Sequence, residues 1–428
     1  MKKPELLAPA GDMEKLKYAL AYGADAVYVG GSTFGLRAYA GNFDLDELDE
    51  AIQYVHRFGC KIYITVNIFA HEQDFTDLPK YLKVINELGA DGAIVSDPGI
   101  FALAKEVVPS LPLHLSTQAN TTNSSAVNFW MKQGVERAVL ARELTLEELK
   151  QLRRKTKCEL EIFVHGAMCM SYSGRCLMSN YLTGRDANKG ECTQPCRWKY
   201  GIMEEKRPNE IFPVKEDKRG TYIFNSHDLC LLPYLPLLKP LEIESWKIEG
   251  RMKSPHYVAS TVKVYRQAID VLWNEGEEAF QSYLPEWYAE MDKVSHRDYS
   301  PGFLFGKPGA SSHNLESSHY IRDYDFVGVC TDRPEIKSLE CTWEREGQGK
   351  QHYCWIEQRG YFRCGETLEV LSPNEEPWEF MVEEMWNKDN ESVQVANHAK
   401  EKLKLRLPKE LNPYSILRKA KKEEKEVS

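Results

Sequence analysis

The amino-acid sequence predicts an α/β protein, a (β/α)8 TIM-like barrel followed by a small C-terminal β-barrel or sandwich domain. From residue 5 onward, short apolar runs rich in branched residues alternate with longer segments of helical period, as in successive βα units. There are eight such runs, the number that closes a barrel. After residue 326 the runs become short, turn-bounded and β-rich, as in FVGVC and TLEVL. The predicted barrel strands are 6–9, 26–30, 61–67, 92–97, 113–118, 137–142, 161–166 and 245–250.

The segments between these strands have the apolar spacing of amphipathic helices. Several of them begin with Asp, Ser or Thr, the residues that cap helix N-termini well. The runs GADAVYVGG and GADGAIVSD share a helix-ending glycine followed by Ala-Asp and a strand, so one helix-to-strand corner is used twice. The predicted helices are 12–22, 44–58, 77–88, 101–108, 124–132, 145–155 and 255–273.

A long insertion separates the seventh and eighth strands. Residues 167–244 far exceed an ordinary βα connection, and long loops at the carboxyl ends of barrel strands usually carry function. The sequence then divides into a barrel domain, 1–295, a Gly-, Ser- and Pro-rich connector, 296–322, a β domain, 323–412, and a charged tail, 413–428. The basic stretch 418–425 is interleaved with acids, and we expect a solvated, frayed helix end there.

Composition narrows the class of protein. A formal net charge of −9 argues against attraction of the whole molecule to nucleic acid, so any RNA site must be local. No charge-free apolar run is long enough for a membrane span, and neither signal peptide nor span is expected, which predicts a cytoplasmic protein without a membrane partner. In that compartment eleven cysteines are kept as thiols, so metal binding or catalysis explains them better than disulfides.

Five cysteines in or near the insertion are candidates for a four-thiolate metal site. Cys169, Cys176, Cys192 and Cys196 are separated by six, fifteen and three residues, and Cys230 follows. Soft thiolates select zinc or an iron–sulfur cluster. The wide, uneven spacings are unlike the tight knuckles of zinc ribbons, but spacing alone leaves zinc, a cluster and ordinary buried thiols all open.

Polar residues at the ends of predicted strands should point toward the same barrel mouth. Helix capping explains Asp97 at least as well as catalysis, and a buried, satisfied imidazole explains His165 as well as an acid or base. Arg251 suits a carboxylate or phosphate ligand, or else an ion pair with Glu249. The predicted mouth residues are Asn67, Asp97, Gln118, Arg142, His165, Glu249 and Arg251.

Five sequence blocks resemble one known family. ELEIFVHGAMCMSYSGRCLMS, residues 159–179, is similar to the signature of the collagenase-like peptidase family U32. PELLAPAGD, GADAVYVG, NYLTGRDANKGECTQPCRW and SWKIEGRMKSP resemble further blocks, and the β-rich end resembles the family's C-terminal domain. The family was named for proteases, but other members are RNA or quinone hydroxylases that carry a 4Fe-4S cluster on four cysteines.

The chain is most similar to the branch that converts the wobble uridine of tRNA to 5-hydroxyuridine with the help of prephenate. The resemblance therefore implies a tRNA uridine hydroxylase, with a U32-type peptidase as the alternative. It implies a 4Fe-4S cluster on Cys169, Cys176 and Cys192. For the fourth ligand Cys196 is favoured, because Pro195 fixes the backbone beside it and Cys230 needs a long return of the chain.

The resemblance also implies contacts with prephenate and RNA. Arg142 and Arg251 are expected to hold the prephenate carboxylates, with Gln118, His165 and Glu249 near the substrate. The tRNA anticodon loop is the expected partner, alone or with a paralogous subunit of the same family. Arg197, Trp198 and Lys199 offer stacking and phosphate contacts, and Trp198 packing the loop is an equally good explanation of that residue. Cations on alternate positions 400, 402, 404 and 406 fit tRNA stem binding, or a charged edge strand that resists aggregation.

Overall fold

The structure is a computed structural model that describes residues 2–35, 42–169, 171–172, 176–195, 198, 227–306, 321–330 and 351–421. It also gives the backbone of five short strands, β8 Met203–Glu204, β9 Arg207–Ile211, β10 Glu216–Asp217, β11 Gly220–Thr221 and β16 Thr342–Trp343. Elements are numbered in chain order. Two compact units divide the chain, Met1–Glu286 with His296–Tyr320 and Trp287–Ser295 with Ile321–Ser428. No helix in the described ranges is long and apolar enough to cross a membrane.

The first unit is the predicted barrel. Eight parallel strands form the ring, and β13 pairs with both β1 and β7, which closes it. All eight predicted strands are confirmed. The fourth, fifth, sixth and eighth end two or three residues earlier than predicted, because the residues that follow leave the sheet. The strands are β1 Glu5–Pro9, β2 Ala26–Gly30, β3 Lys61–Val66, β4 Gly92–Val95, β5 Leu113–Leu115, β6 Arg137–Val139, β7 Glu159–Ala167 and β13 Ser245–Ile248.

Helices cover the outside of the ring, and their N-termini carry the expected caps. Asp12 accepts a hydrogen bond from the backbone N–H of Lys15 at 2.9 Å, and Thr145 with Glu148 forms a capping box. The seven predicted helices are confirmed, and each begins and ends within three residues of its predicted bounds. They are α1 Met13–Ala21, α2 Leu45–Arg57, α3 Leu78–Glu87, α4 Pro98–Val107, α5 Ser124–Gln133, α6 Leu146–Lys155 and α9 Pro255–Asn274; α7 Met178–Thr183, α8 Leu235–Leu238 and α10 Glu277–Met291 complete the set.

A buried charge cluster fills the barrel below the strand ends. Glu161 is fully buried and accepts from the amine of Lys247 at 2.8 Å, while Arg137 lies 2.5 Å from Glu5 and 3.5 Å from Glu161. Burial raises the pKa of Glu161, but Lys247 and Arg137 outweigh it and hold that pKa below its ordinary value. Because each charge has a partner, the cluster avoids the cost of an isolated buried ion.

Two short strands extend the barrel sheet beyond the ring. β12 Asp228–Cys230 pairs antiparallel with β7, and β14 Tyr299–Ser300 pairs parallel with β12. Arg297 donates to Asp228 at 2.6 Å, and both side chains are buried. The prediction that residues 296–322 form only a connector is therefore wrong at its start, since Arg297 and β14 belong to the barrel unit.

The second unit is an antiparallel β domain whose main sheet has the strand order β20–β19–β24–β15–β17–β23–β21. Val327, Ile356, Leu368 and Leu403 are among the side chains of its core. Its remaining strands are β15 Tyr324–Val329, β17 Gln351–Gln358, β18 Phe362–Arg363, β19 Thr367–Ser372, β20 Glu375–Met381, β21 Met385–Trp386, β22 Val395–Ala396, β23 Lys402–Leu407 and β24 Ile416–Ala420.

The predicted charged tail from residue 413 and the frayed helix end from 418 are wrong for residues 413–421, and residues 422–428 lie outside the described residues. β24 lies between β15 and β19, in the middle of the sheet. Arg418 is fully buried and paired with Glu290 and Glu369. Residues 287–295, predicted to end the barrel domain, belong to the second unit, where Lys293 lies 2.8 Å from Glu369. These carboxylates are far from Arg418 in the sequence, so local composition could not reveal the pairing.

The alternating cations of β23 face outward, as the period of two predicts. Lys402, Lys404 and Arg406 are half-buried, while the leucines between them are buried. The edge-strand explanation is wrong, because β23 lies between β17 and β21. The amine of Lys404 lies 4.9 Å from the ring of Tyr353 and 5.9 Å from that of Trp386. The outer face thus combines cations with aromatic rings.

Candidate functional site: a thiol- and cation-lined pocket

A pocket opens at the carboxyl ends of the barrel strands, the face where barrel enzymes keep their active sites. Side chains within or just after seven of the eight ring strands line it, and the loop after β7 supplies the rest of the wall. Among the lining residues are Tyr28, Thr65, Asn67, Ile94, Ser116, Gln118, Arg142, Phe163, Lys247, Glu249 and Arg251. Of the predicted mouth residues, Asn67, Gln118, Arg142, Glu249 and Arg251 therefore meet in one pocket.

Three of the candidate ligand cysteines line the same pocket. Cys169, Cys176 and Cys192 are each half-buried there. The backbone N–H of Met178 donates to the Cys176 sulfur at 3.4 Å, and that of Gln194 donates to the Cys192 sulfur at 3.3 Å. Backbone donors directed at sulfur stabilise the thiolate form, which is the form that binds metal.

Hydroxyl groups tie the two cysteine-bearing segments together. Ser179 is fully buried, its hydroxyl accepts from the backbone N–H of Thr193 at 3.0 Å, and the two hydroxyl oxygens lie 3.1 Å apart. Thr183 donates to the carbonyl of Ser179 at 2.7 Å. Since Cys176 precedes Ser179 by three residues and Cys192 is next to Thr193, these bonds fix the two cysteines relative to each other.

The electrostatics of Cys169 reflect its neighbours. Burial raises the pKa of its thiol, and the charges of Cys176 and Cys192 raise it further, while Arg142 and a backbone hydrogen bond lower it. A bound positive centre would favour the thiolate form of Cys169. The described residues contain no group of three or more His, Cys, Asp and Glu side chains that could hold a metal ion.

The two candidates for a fourth ligand have different positions. Cys196 lies outside the described residues. Cys230 is buried on β12, opposite His165 of β7, with its sulfur 3.9 Å from the hydroxyl of Tyr265, and it does not line the pocket. The preference for Cys196 therefore stays a prediction, and the position of Cys230 agrees with it.

Arg142 links the pocket to the loop that carries the cysteines. Its guanidinium donates to the carbonyl of Ala167 at 2.8 Å and lies 4.0 Å from the centre of the Phe163 ring. Its Nε is buried and has no hydrogen-bond partner within the described ranges. Arg142 thus holds the start of the insertion while its cation remains beside Cys169.

Arg251 is the second pocket guanidinium, and it is almost fully buried. It donates to Asn42 Oδ1 at 2.7 Å and to Thr65 Oγ1 at 3.3 Å. A Cβ atom on Gly30 would lie 2.3 Å from Nη2 of Arg251, so a side chain at this position would displace the guanidinium. The neighbouring Glu249 accepts from the Tyr28 hydroxyl at 3.1 Å.

Strand alternation was too simple a guide for His165. Lys247 pairs with Phe163, but Ile248 pairs with His165, a register shift of one residue. Adjacent residues of β13 point to opposite faces, so the bulge turns His165 away from the face that Phe163 occupies. Its ring packs against Tyr257 and Tyr265, and burial lowers its pKa to about 3. The prediction that His165 points into the mouth is wrong.

The remaining predicted residues are Asp97 at the barrel mouth and the proposed RNA contacts at 197–199. Asp97 caps α4, accepting from the N–H groups of Gly99 and Ile100, so the capping explanation is confirmed. The side chain of Trp198 is exposed, and its backbone N–H donates to the Pro195 carbonyl at 2.9 Å. Arg197 and Lys199 lie outside the described residues.

Sequence reasoning missed three aromatic and cationic lining residues. Tyr28, Phe163 and Lys247 lie inside strands, where the run of apolar neighbours suggested core. The period of two along β2, β7 and β13 was the available signal, because it places all three on the inner face of the barrel. The Lys247 amine lies 4.2 Å from the Tyr28 ring, so these two side chains lie together in the pocket wall.

Fold and site together define the class of protein: a TIM-barrel protein with a pocket of thiols and guanidinium groups at the carboxyl ends of its strands. Comparison with known proteins gives the family. The family model peptidase family U32 matches residues 11–314, and the model of the peptidase family U32 C-terminal domain matches residues 322–418. The chain belongs to peptidase family U32.

Individual relatives carry two kinds of name. tRNA hydroxylation protein P1 of Bacillus subtilis is 38% identical over 420 residues, 98% of this chain and 96% of the relative. tRNA hydroxylation protein P of Escherichia coli is 36% identical, with 92% of each chain covered. An uncharacterized protease of Methanocaldococcus jannaschii is 41% identical over 306 residues, 70% of this chain and 73% of that protein. The likeness over almost the full length lies with the tRNA hydroxylation branch.

Proposed function

We propose that this protein is a tRNA hydroxylase that converts the wobble uridine of the anticodon loop to 5-hydroxyuridine. The observation that carries the proposal is the meeting of three cysteines and two arginines in one barrel pocket, in a chain similar over 98% of its length to a tRNA hydroxylation protein. Wobble uridines lie in a single-stranded loop, where a base can leave the stack at low cost. The barrel mouth is the natural place for that base.

The cysteines that line the pocket are proposed to hold a 4Fe-4S cluster. Cys169, Cys176 and Cys192 supply three ligands and Cys196 the fourth. The donor set is sulfur alone, with backbone N–H groups directed at two of the sulfurs, which is the donor chemistry of such a cluster. The described thiols are not already grouped as a metal site, so cluster binding would have to bring them together. When bound, the cluster would supply electron-transfer or Lewis-acid chemistry beside the base.

Prephenate is the proposed co-substrate, and the cations of the pocket support this choice. Arg142, Lys247 and Arg251 line the pocket together with one carboxylate, that of Glu249. A dicarboxylate needs two cationic contacts, and guanidinium groups can give bidentate ones. Arg251 is held by Asn42 and Thr65 before any ligand arrives, so little side-chain entropy is lost on binding.

A peptidase is the alternative, favoured by the name of the archaeal relative. Peptide hydrolysis needs an activated nucleophile or a metal-bound water. The sequence contains neither HExxH nor GxSxG. The buried His165, with its low pKa, lies off the pocket wall and is a poor partner for any of the pocket cysteines. A casein assay with homogeneous protein tests this alternative.

Nucleoside mass spectrometry of tRNA tests the proposed function. In a strain without another route to 5-hydroxyuridine, deletion of the gene should abolish that nucleoside. A strain blocked in prephenate synthesis should lose it as well, and added prephenate should restore it. Unchanged 5-hydroxyuridine in the deletion strain would reject the function, while its persistence without prephenate would reject only the co-substrate.

The cluster has a separate test. Anaerobically purified protein should be brown and contain about four iron and four sulfide per chain, the composition of the cluster itself. Cys196→Ser should lower the iron content, and Cys230→Ser should leave it unchanged. Colourless protein with one bound zinc would contradict the cluster. If Cys230→Ser loses iron and Cys196→Ser does not, Cys230 and not Cys196 is the fourth ligand.

A further inference from the structure

Exposed apolar side chains concentrate beside the cysteines. Of the large hydrophobic residues exposed in the described chain, five lie between residues 172 and 198, and Tyr181 and Leu177 are the most exposed of all, at 88% and 73%. Clustered exposed apolar groups usually mark an interaction site. This loop patch consists of Tyr172, Leu177, Tyr181, Leu182 and Trp198.

The short helix α7 exposes the side chains that a helix ordinarily buries. Ser179 is its fully buried residue, and Thr183 bonds back to the Ser179 carbonyl, so small hydroxyl residues fasten the helix to the cysteine segment. Tyr181 and Leu182 point to solvent. This is the reverse of an amphipathic helix that packs on a core, so folding of the chain does not explain these residues.

The loop patch adjoins the pocket. Tyr172 follows the lining residue Ser171, and Leu177 follows the lining residue Cys176. The N–H of Trp198 bonds to the carbonyl of Pro195, another residue of the pocket wall. A ligand that fills the pocket and extends beyond it would therefore meet these side chains.

The charge of the residues around the loop patch favours binding of a polyanion. Residues 168–200 contain five Arg and Lys and two acidic residues, a net charge of +3 in a chain of net charge −9. Exposed aromatic rings with neighbouring cations form the surfaces that bind single-stranded nucleic acids. Burial, with the charges of Glu143 and Glu148, raises the pKa of Tyr172. That edge of the patch is acidic, so the polyanion belongs on the side of Tyr181 and Trp198.

We infer that the loop patch is a stacking platform for the unpaired RNA nucleotides that flank the base in the pocket. Tyr181 and Trp198 stack on bases, and Leu177 and Leu182 cover their apolar faces. The inference rests on the proposed function and deepens it, because it assigns the residues that hold an anticodon loop. Because the RNA contacts are concentrated in this patch, a protein of net negative charge can bind RNA without a basic surface over its whole barrel.

Fluorescence anisotropy with a labelled anticodon stem-loop RNA tests the platform, using the anaerobically purified full chain. Tyr181→Ala and Trp198→Ala should each weaken binding roughly 5- to 150-fold, the range expected when one stacked ring is removed. Tyr181→Phe keeps the ring and should bind within about twofold of wild type. Tyr283→Ala removes an exposed tyrosine of α10, outside the patch, and should have no effect. Unchanged iron content shows that each variant is folded.

The outcomes separate the platform from the function. If both Ala variants bind the stem-loop like wild type, the platform is wrong, and normal 5-hydroxyuridine in cells would leave the function standing. If the Ala variants bind RNA normally but no longer associate with a second protein chain, as measured by sedimentation, the patch is a protein interface and the inference is also wrong. If the wild-type protein neither binds the RNA nor forms 5-hydroxyuridine, the proposed function itself is rejected, and the platform with it.

Discussion

Arg251 shows how single residues prepare the pocket. Its guanidinium is held by Asn42 and Thr65, and it can lie against β2 because residue 30 has no side chain. Burying a cation costs free energy unless it is hydrogen-bonded. The two hydrogen bonds offset that cost and hold the guanidinium in place before a ligand binds. A glycine at the end of a strand thus leaves room for a guanidinium in the pocket wall.

Gly30→Ala should displace Arg251 while leaving the barrel folded, because the clash falls on the end of a long side chain. We expect kcat/KM for prephenate to fall about 10- to 100-fold, the effect of removing one charge-assisted hydrogen bond. If the substitution acts through Arg251, the double variant with Arg251→Ala should be no worse than Arg251→Ala alone. Additive losses would show that Gly30 acts independently of Arg251.

At the residue level the sequence located five of the seven mouth residues, because strand ends and polar character suffice to place them. Asp97 and His165 are the exceptions. The carboxylate of Asp97 caps a helix N-terminus. A bulge reverses His165, and a bulge depends on the pairing of β7 with β13, which no local pattern reports.

Among the elements, β12 and β14 depend on one buried ion pair. Asp228 and Arg297 lie 2.6 Å apart, and each side chain is 2% exposed. Burial raises the pKa of Asp228, but Arg297 outweighs it and holds that pKa below its ordinary value. The pair therefore stabilises the fold above the unfolded-state pKa of about 3.9, and this contribution is lost as the pH falls through the lower, folded-state pKa.

Asp228→Asn should lower the free energy of unfolding by about 3–5 kcal/mol at pH 7, since Arg297 is left buried without its counter-charge. The difference from wild type should shrink below about pH 4, because the unfolded wild-type chain takes up a proton at this carboxyl group there, before the folded state does. Urea unfolding at pH 7 and pH 3 measures both. Asp270→Asn, in a half-exposed ion pair, should cost at most about 1 kcal/mol. Equal midpoints for the two variants at pH 7 would contradict the assignment.

The outer face of β23 is where we expect a second contact with RNA, because it combines cations with aromatic rings. Replacing Lys402 and Lys404 by Ala should weaken tRNA binding and reduce the slope of log affinity against log salt by about 1 for each phosphate that is no longer bound. Lys388→Ala, at an exposed lysine outside β23, is the control. An unchanged salt slope in the double variant would show that the face does not bind phosphates.

Elements with strong periodicity were predictable, and elements defined by distant partners were not. The eight ring strands are buried apolar runs, so their composition identifies them. β12 and β14 have three and two residues, too few for a pattern. β24 contains Arg418 and Lys419 and resembles a tail until Glu290 and Glu369 are seen to pair with Arg418.

For the molecule as a whole, the second unit needs residues that the sequence assigned to a tail. β24 completes the main sheet between β15 and β19. A chain that ends at residue 412 lacks this strand and leaves the backbone groups of both neighbours unpaired. It also leaves Glu290 and Glu369 without Arg418.

Chains ending at residue 412 and at residue 421 should therefore differ in the second unit. Limited proteolysis followed by mass spectrometry should show rapid cleavage within 321–412 in the shorter chain, because that unit cannot complete its sheet. The longer chain should resist cleavage like the full protein. Equal resistance of both chains would mean that the β domain folds without β24.

We propose that the thiol-lined pocket of this chain hydroxylates tRNA. The most direct measurement is the 5-hydroxyuridine content of tRNA, by nucleoside mass spectrometry, in a deletion strain complemented with wild type, Cys176→Ala or Cys364→Ala at equal protein levels. Cys364 lies in the second unit and serves as the matched control. We predict that wild type and Cys364→Ala restore the nucleoside and Cys176→Ala does not. Full restoration by Cys176→Ala would contradict the claim.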